Sequence, residues 1–299
     1  MTESMAFRKL LCPIDFSPGS QQALTVATRI ARKTGAELVI AHAWHLPARA
    51  FLGDYPIPDR VIQQMIDEAV QALDDVAKRE VELGLPRGTT RLLRGVPWEQ
   101  IADAARADPA IDAIVMGTHG RSGIARVFLG SVTEQVIRHA PCSVLAIREK
   151  GSTLPFPNIL CPIDFSDDSR HAIGRAAELA ALGATGIKLM HVIEPALSYN
   201  ELSMGENHLA ALDHRATHEL VRWASDLGKK VSVPVTTAID IGRPGAQILA
   251  ALDADPSIDL VIMGSHGRTG IKRVLLGSVA EKVLRHASCP VWIERSRTA

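Results

Sequence analysis

The chain has 299 residues, 46% of them apolar and 22% charged, with 33 basic and 33 acidic side chains for a formal net charge of zero. Balanced charge argues against nucleic-acid binding as its main business. No apolar run reaches 18 residues, so no membrane span is expected. The opening MTESMAFRK lacks the long apolar segment of a signal peptide, and Cys12, Cys142, Cys161 and Cys289 include no CxxC pair. The expectation is a cytoplasmic protein with reduced, buried thiols.

Phe7–Ile14 is a short apolar run ending in Pro-Ile-Asp, read as a buried strand. Ser17-Pro18 has the chemistry of an N-cap followed by proline at the first helical position. Gln21–Lys33 carries the helical pattern and Gly35 ends it. A strand at Glu37–Trp44, a Pro-rich loop at His45–Pro58 and a long amphipathic helix at Asp59–Gly84 follow. Next come a strand at Thr89–Arg94, a helix at Pro97–Ala107 and an apolar strand at Ile111–Met116. The segment GTHGRSGIARVFLGS (117–131) leads into a helix at Ser131–His139 and a last strand at Ser143–Ile147. Beyond the Gly/Ser/Pro-rich stretch Glu149–Asn158 the order repeats. Strands are expected near Asn158–Ile163, Ile187–Val192, Val235–Asp240, Leu260–Met263 and Val291–Ile293. Helices are expected near Asp168–Leu182, His208–Leu227, Gly245–Ala254 and Ser278–His286.

The repeat extends to motifs. CPIDFS at 12–17 returns at 161–166, 149 positions on. The glycine segment returns as GSHGRTGIKRVLLGS at 264–278, 147 positions on, and Arg138-His139-Ala140-x-Cys142 returns as Arg285-His286-Ala287-x-Cys289. This is a duplicated domain, with units at 1–150 and 151–299, and not a solenoid of short repeats. Apolar strands alternating with helices imply βαβ units and a parallel sheet covered on both faces. In such sheets ligands bind beyond the carboxyl ends of the strands, where the strand order reverses. Asp15, Asp164 and both glycine segments fall at strand carboxyl ends.

Gly-x-x-Gly, nine residues, then Gly-Ser before a helix favours an anion. Helix-start N–H groups lack intrahelical acceptors, the helix dipole adds partial positive charge, and glycine lets a phosphate approach closely. Arg121 and Arg268 follow the second glycine of each copy, and Ser131 and Ser278 open the helix. A purely structural alternative stands beside this: Ser131-Val132-Thr133-Glu134 and Ser278-Val279-Ala280-Glu281 both read as capping boxes. Asp15 and Asp164 likewise suit either a ligand or a turn. No Walker-type P-loop and no Gly-x-Gly-x-x-Gly after the first strand occurs. His119 and His266 lie in the loops without an evident orienting carboxylate, so no catalytic residue is assigned. His42 with His45, and His191 with Glu194, are set aside as metal pairs because residues three apart on a strand face opposite sides.

The glycine spacing together with Pro-x-Asp ending the first strand resembles the universal stress protein family, in two tandem copies of its ATP-binding type. The resemblance implies two Rossmann-like α/β domains, each a five-stranded parallel sheet of order 3-2-1-4-5. It implies ATP, with Mg²⁺, held in the first unit by Asp15, Gly117, Gly120, Gly130 and Ser131. In the second unit the matching residues are Asp164, Gly264, Gly267, Gly277 and Ser278. Ala43 and Val192 of the second strands would touch the base. It also implies pairing of the two domains through Ser143–Ile147 and Val291–Ile293, with a homodimer left open and the protein partner unspecified. The expected function is an ATP-binding stress-response regulator with slow hydrolysis at most. A partner-recruiting module with vestigial sites, or a genuine nucleotide hydrolase, remains as an alternative.

Overall fold

A computed structural model describes residues 7–46, 57–85, 88–118, 129–148, 155–194, 206–267 and 276–295. The chain divides into two compact units, Met1–Lys150 and Gly151–Ala299. The first runs β1 (Lys9–Pro13), α1 (Pro18–Thr34), β2 (Glu37–Trp44), α2 (Asp59–Glu82), β3 (Gly88–Arg94), α3 (Pro97–Ala107), β4 (Ile111–Gly117), α4 (Ser131–His139) and β5 (Ser143–Ile147). Its strands are parallel and ordered β3-β2-β1-β4-β5.

The second unit runs β6 (Asn158–Ile163), α5 (Asp167–Ala180), β7 (Gly186–Ile193), α6 (Glu206–Gly228), β8 (Val235–Ile241), α7 (Pro244–Ala254), β9 (Leu260–Gly264), α8 (Ser278–His286) and β10 (Val291–Glu294). Its order is β8-β7-β6-β9-β10, again parallel. Each unit therefore has the expected 3-2-1-4-5 sheet.

Burial explains which runs become inner strands. All five residues of β5 are buried, as are all four of β10 and most of β4 and β9. Helices cover both faces of such strands, so no alternation is needed. The outer strands β3 and β8 are largely exposed and correspondingly rich in Thr, Arg and Asp. Each fully buried Leu or Ile contributes about 1.5–3 kcal/mol, and Leu10, Leu11, Leu38, Ile40, Ile114 and Leu145 are all sealed from solvent.

Helix ends follow local chemistry. Ser17 caps α1 by accepting the Ser20 N–H (3.3 Å), and Gly35 closes it at φ +74°, a left-handed C-cap. Ser166 caps α5 by accepting the Ser169 N–H (3.2 Å). With the cap and Pro18 in place α1 begins at Pro18, three residues before its apolar pattern does.

The units differ inside. In the second, Arg175 and Glu294 form a buried ion pair (Nε–Oε2 3.1 Å), their side chains 14% and 8% exposed. Trp292 Nε1 donates to the same carboxylate oxygen (2.5 Å). The matching positions in the first unit are Val26, Ile147 and Leu145, all apolar.

Candidate functional site

In each sheet the chain leaves the first strand toward one edge and the fourth toward the other. The reversal lies between β1 and β4, and between β6 and β9, and it opens the crevice where α/β ligands bind. Asp15 follows β1 and Gly117 ends β4; Asp164 follows β6 and Gly264 ends β9. The ladder runs on past the strand ends through Ile14 N–H to Ala41 O (2.7 Å), Thr118 N–H to Ile147 O (2.9 Å) and Ser265 N–H to Glu294 O (3.0 Å). The turns beyond are thus tied to the sheet. Ala43 and Val192, on the adjacent second strands, are part-exposed near those strands' carboxyl ends.

The Asp-Phe-Ser turn is built alike in both units. Asp15 Oδ1 accepts from the Ser17 N–H (3.1 Å) and hydroxyl (2.5 Å). Asp164 Oδ1 accepts from the Ser166 N–H (3.1 Å) and hydroxyl (2.5 Å) and from the Ser169 hydroxyl (2.7 Å). Between Asp and Ser sits Phe16 (φ +64°) or Phe165 (φ +65°), the only non-glycine residues in the left-handed region among those described. That conformation costs an L-residue roughly 1–2 kcal/mol and persists only where surroundings enforce it. Here Phe16 packs on His42 (centroids 4.7 Å apart) and Phe165 on His191 (4.5 Å) and Trp223 (5.4 Å). His42 and His191 are pinned in turn, Nδ1 donating to the Ile14 and Ile163 carbonyls at 2.8 Å. The aspartates therefore hold the turn and its capping serine through one oxygen, whatever the other oxygen does. The rings of His42 and His191 are spoken for by the turn, and no group of three or more potential metal ligands occurs among the described residues.

The glycines divide by role. A Cβ on Gly117 would lie 2.8 Å from the backbone of Gly19, and one on Gly264 would lie 2.7 Å from Asp168 Cβ. The first glycine of each loop thus lets the start of α1 or α5 dock on the end of β4 or β9. A Cβ on Gly267 would lie 2.7 Å from Asp164 Oδ2, so that glycine and that carboxylate are in direct contact. Gly130 and Gly277 are the N-caps of α4 and α8. Ser131 and Ser278 are then the first helical residues, not caps, and the capping-box reading is corrected. Gly130 N–H is held by Thr118 O (2.7 Å) and Gly277 N–H by Ser265 O (2.9 Å), which places the cap one residue early. Among the described residues no side chain caps either helix, so the opening N–H groups keep their donor capacity. Gly120, Arg121, His119 and Arg268 lie outside the described residues.

An orienting carboxylate for a loop histidine, unseen in the sequence, exists in the second unit. Asp168 Oδ2 accepts from the His266 N–H (3.1 Å) and contacts Ser265 Oγ (3.3 Å), which lies 2.9 Å from His266 Nδ1. The first unit has Gly19 at the position of Asp168. There Thr133 of α4 donates its hydroxyl to Gly117 O at the end of β4 (2.8 Å). All four cysteines are free and buried. Burial pushes the Cys12 and Cys161 thiols up, with a smaller push from the carboxylates of Glu80 and Glu294, so neither is poised as a thiolate.

Doubled parallel sheets, a strained Asp turn and a glycine-capped helix at one sheet edge define a tandem pair of Rossmann-like α/β units. Residues 6–148 and 155–295 match the Universal stress protein family, and the chain belongs to that family. It is similar to Universal stress protein Rv2623 of Mycobacterium tuberculosis (strain ATCC 25618 / H37Rv), with 26% identity over 301 residues covering 96% of each chain. It is also similar to a Thermus aquaticus universal stress protein, with 35% identity over 147 residues covering 48% of this chain and 99% of that one. A universal stress protein structure from Archaeoglobus fulgidus DSM 4304 shares the fold. Its TM-score is 0.70 at 22% identity, over 99% of this chain and 100% of that one. No described helix is long and apolar enough to cross a membrane.

Proposed function

We propose that the chain is a nucleotide-binding stress-response regulator in which each unit binds one ATP at its strand-order reversal and hydrolyses it slowly at most. The observation that carries this reading is the glycine-capped start of α4 and α8, its N–H groups uncapped by any described side chain, beside the Asp turn. Such a helix start is a ready anion site, which suits the phosphates. Gly130-Ser131 and Gly277-Ser278 would hold them together with Gly120, Arg121, Gly267 and Arg268. Asp15 and Asp164 would take the ribose, with Ala43 and Val192 at the base. No described set of protein ligands suits a metal on its own. Mg²⁺ would therefore ride mainly on the phosphates, as this ion commonly does.

Titration of the full chain with ATP and Mg²⁺ by calorimetry tests the reading. Binding of up to two ATP per chain, lost in Gly120→Val/Gly267→Val, is expected. Turnover should stay well below the ~1 s⁻¹ floor of typical enzymes. Faster steady-state hydrolysis would move the chain to the hydrolase reading.

A further inference from the structure

The two units differ at two matched positions beside the candidate site. In the first unit Thr133 ties α4 to Gly117 at the end of β4; the second has Ala280 there and Asp168 in place of Gly19. An ionised carboxylate can only accept hydrogen bonds. Asp168 Oδ2 already accepts the His266 N–H (3.1 Å), so its 3.3 Å contact with Ser265 Oγ requires the hydroxyl to donate. Ser265 Oγ then has only lone pairs to offer His266 Nδ1 at 2.9 Å, so Nδ1 carries a proton. The neutral ring is therefore the Nδ1–H tautomer, with its lone pair on Nε2. Nε2 is out of contact with solvent and has no partner among the described residues. Buried polar atoms without partners are rare and call for an explanation, a bound ligand being one.

Two carboxylates stand near His266. Asp168 Oδ2 is 3.8 Å from Nδ1, and Asp164 touches the next residue, Gly267. The neighbouring elements carry further charged groups, among them Lys282 of α8. Glu294 of β10 is paired with Arg175, and Glu281 of α8 with Arg285. The His266 Cα lies beside Gly277, the cap of α8 (3.6 Å to a Cβ built there).

We infer that His266 is a phosphate-contacting residue of the second unit and Asp168 its positioning residue. As imidazolium, His266 donates from Nε2 to a phosphate oxygen while Nδ1–H stays on Ser265. The proton on Nε2 is taken up from solvent as the nucleotide binds. The first unit has Gly19 where that brace stands, so proton-coupled binding belongs to the second site. This rests on the nucleotide reading above.

The test is calorimetric titration of the full chain with Mg²⁺ and ATP in two buffers of different ionisation enthalpy, at a pH about one unit above the usual histidine pKa. Wild type is compared with His266→Ala, Asp168→Asn and the double variant. Asp168→Asn keeps an acceptor for the His266 N–H and so guards against a variant that merely unfolds. One of the two binding events should show proton uptake. His266→Ala should abolish the uptake and weaken that event about tenfold or more, the usual worth of a charged hydrogen bond. Asp168→Asn should reduce both, and the double variant should match His266→Ala. In ¹⁵N spectra of the free protein, His266 should be protonated on Nδ1. Two ATP bound without proton uptake, or affinity indifferent to both variants, overturns this inference and leaves the nucleotide reading standing. No ATP bound by wild type overturns both.

Discussion

Substituting Gly267 by Ala isolates the contact between the glycine loop and the Asp turn. A Cβ there would sit 2.7 Å from Asp164 Oδ2, against the 3.4 Å at which ordinary contact begins, an overlap of 0.7 Å. The backbone of Gly267 is outside the left-handed region, so conformational strain adds nothing. The carboxylate is a poor place for the overlap to dissipate. Its other oxygen accepts three hydrogen bonds, from the Ser166 N–H and hydroxyl and the Ser169 hydroxyl. Each charged bond of this kind is worth roughly 1.5–3 kcal/mol, so shifting the loop is the cheaper response, at about 1–3 kcal/mol. Thermal and urea unfolding should show that loss, with ~2–4 °C of midpoint per kcal/mol for a unit of this size. ATP affinity should fall as well. Asp164→Ala removes the oxygen that Gly267→Ala meets, so the double variant should be less destabilised than the sum of the singles by about 1 kcal/mol or more. Additivity within ~0.3–0.5 kcal/mol, or a Gly267→Ala protein as stable as wild type, would refute the contact.

Phe16→Gly should be more stable than Phe16→Ala by about 1 kcal/mol, because only the glycine escapes the left-handed penalty; equal unfolding midpoints would contradict enforced strain at φ +64°. Arg175→Ala should cost about 3–5 kcal/mol by stranding Glu294 in the core. Replacing Arg175, Glu294 and Trp292 together by Val, Ile and Leu, as in the first unit, should be near neutral or stabilising, read by urea unfolding. Lys9 holds the Asp108 carboxyl below its usual range, chiefly by hydrogen bonding, and Lys188 does the same for Asp255. Because the folded-state values are depressed, that stabilisation is present above the ordinary carboxylate pKa of ~3.9 and is lost as pH falls through the folded values. Urea midpoints should therefore decline below about pH 4, and less steeply in Lys9→Ala/Lys188→Ala.

Fold and edge were legible where the signal is local or doubled. Ser17-Pro18 and Gly35 announce α1, and apolar runs such as Ile111–Met116 announce strands buried on both faces. The cap of α4 was not legible by propensity, since Ser is a better cap than Gly. What decides it is the tertiary bond from Gly130 N–H to Thr118 O, which no local pattern records. Phe16 and Phe165 gave no hint of a positive φ, because their partners His42 and His191 are remote in sequence and define the turn by packing. Asp168 acts on residues 97 and 98 positions away. The one available clue was its mismatch with Gly19 when the two copies are laid side by side.

Each unit is expected to hold one ATP. Native mass spectrometry of the full chain with ATP and Mg²⁺ tests it directly, run beside Gly120→Val and Gly267→Val separately. Wild type should carry two bound ATP and each single variant one. Wild type that takes up no ATP, or two that survive both substitutions, would contradict it.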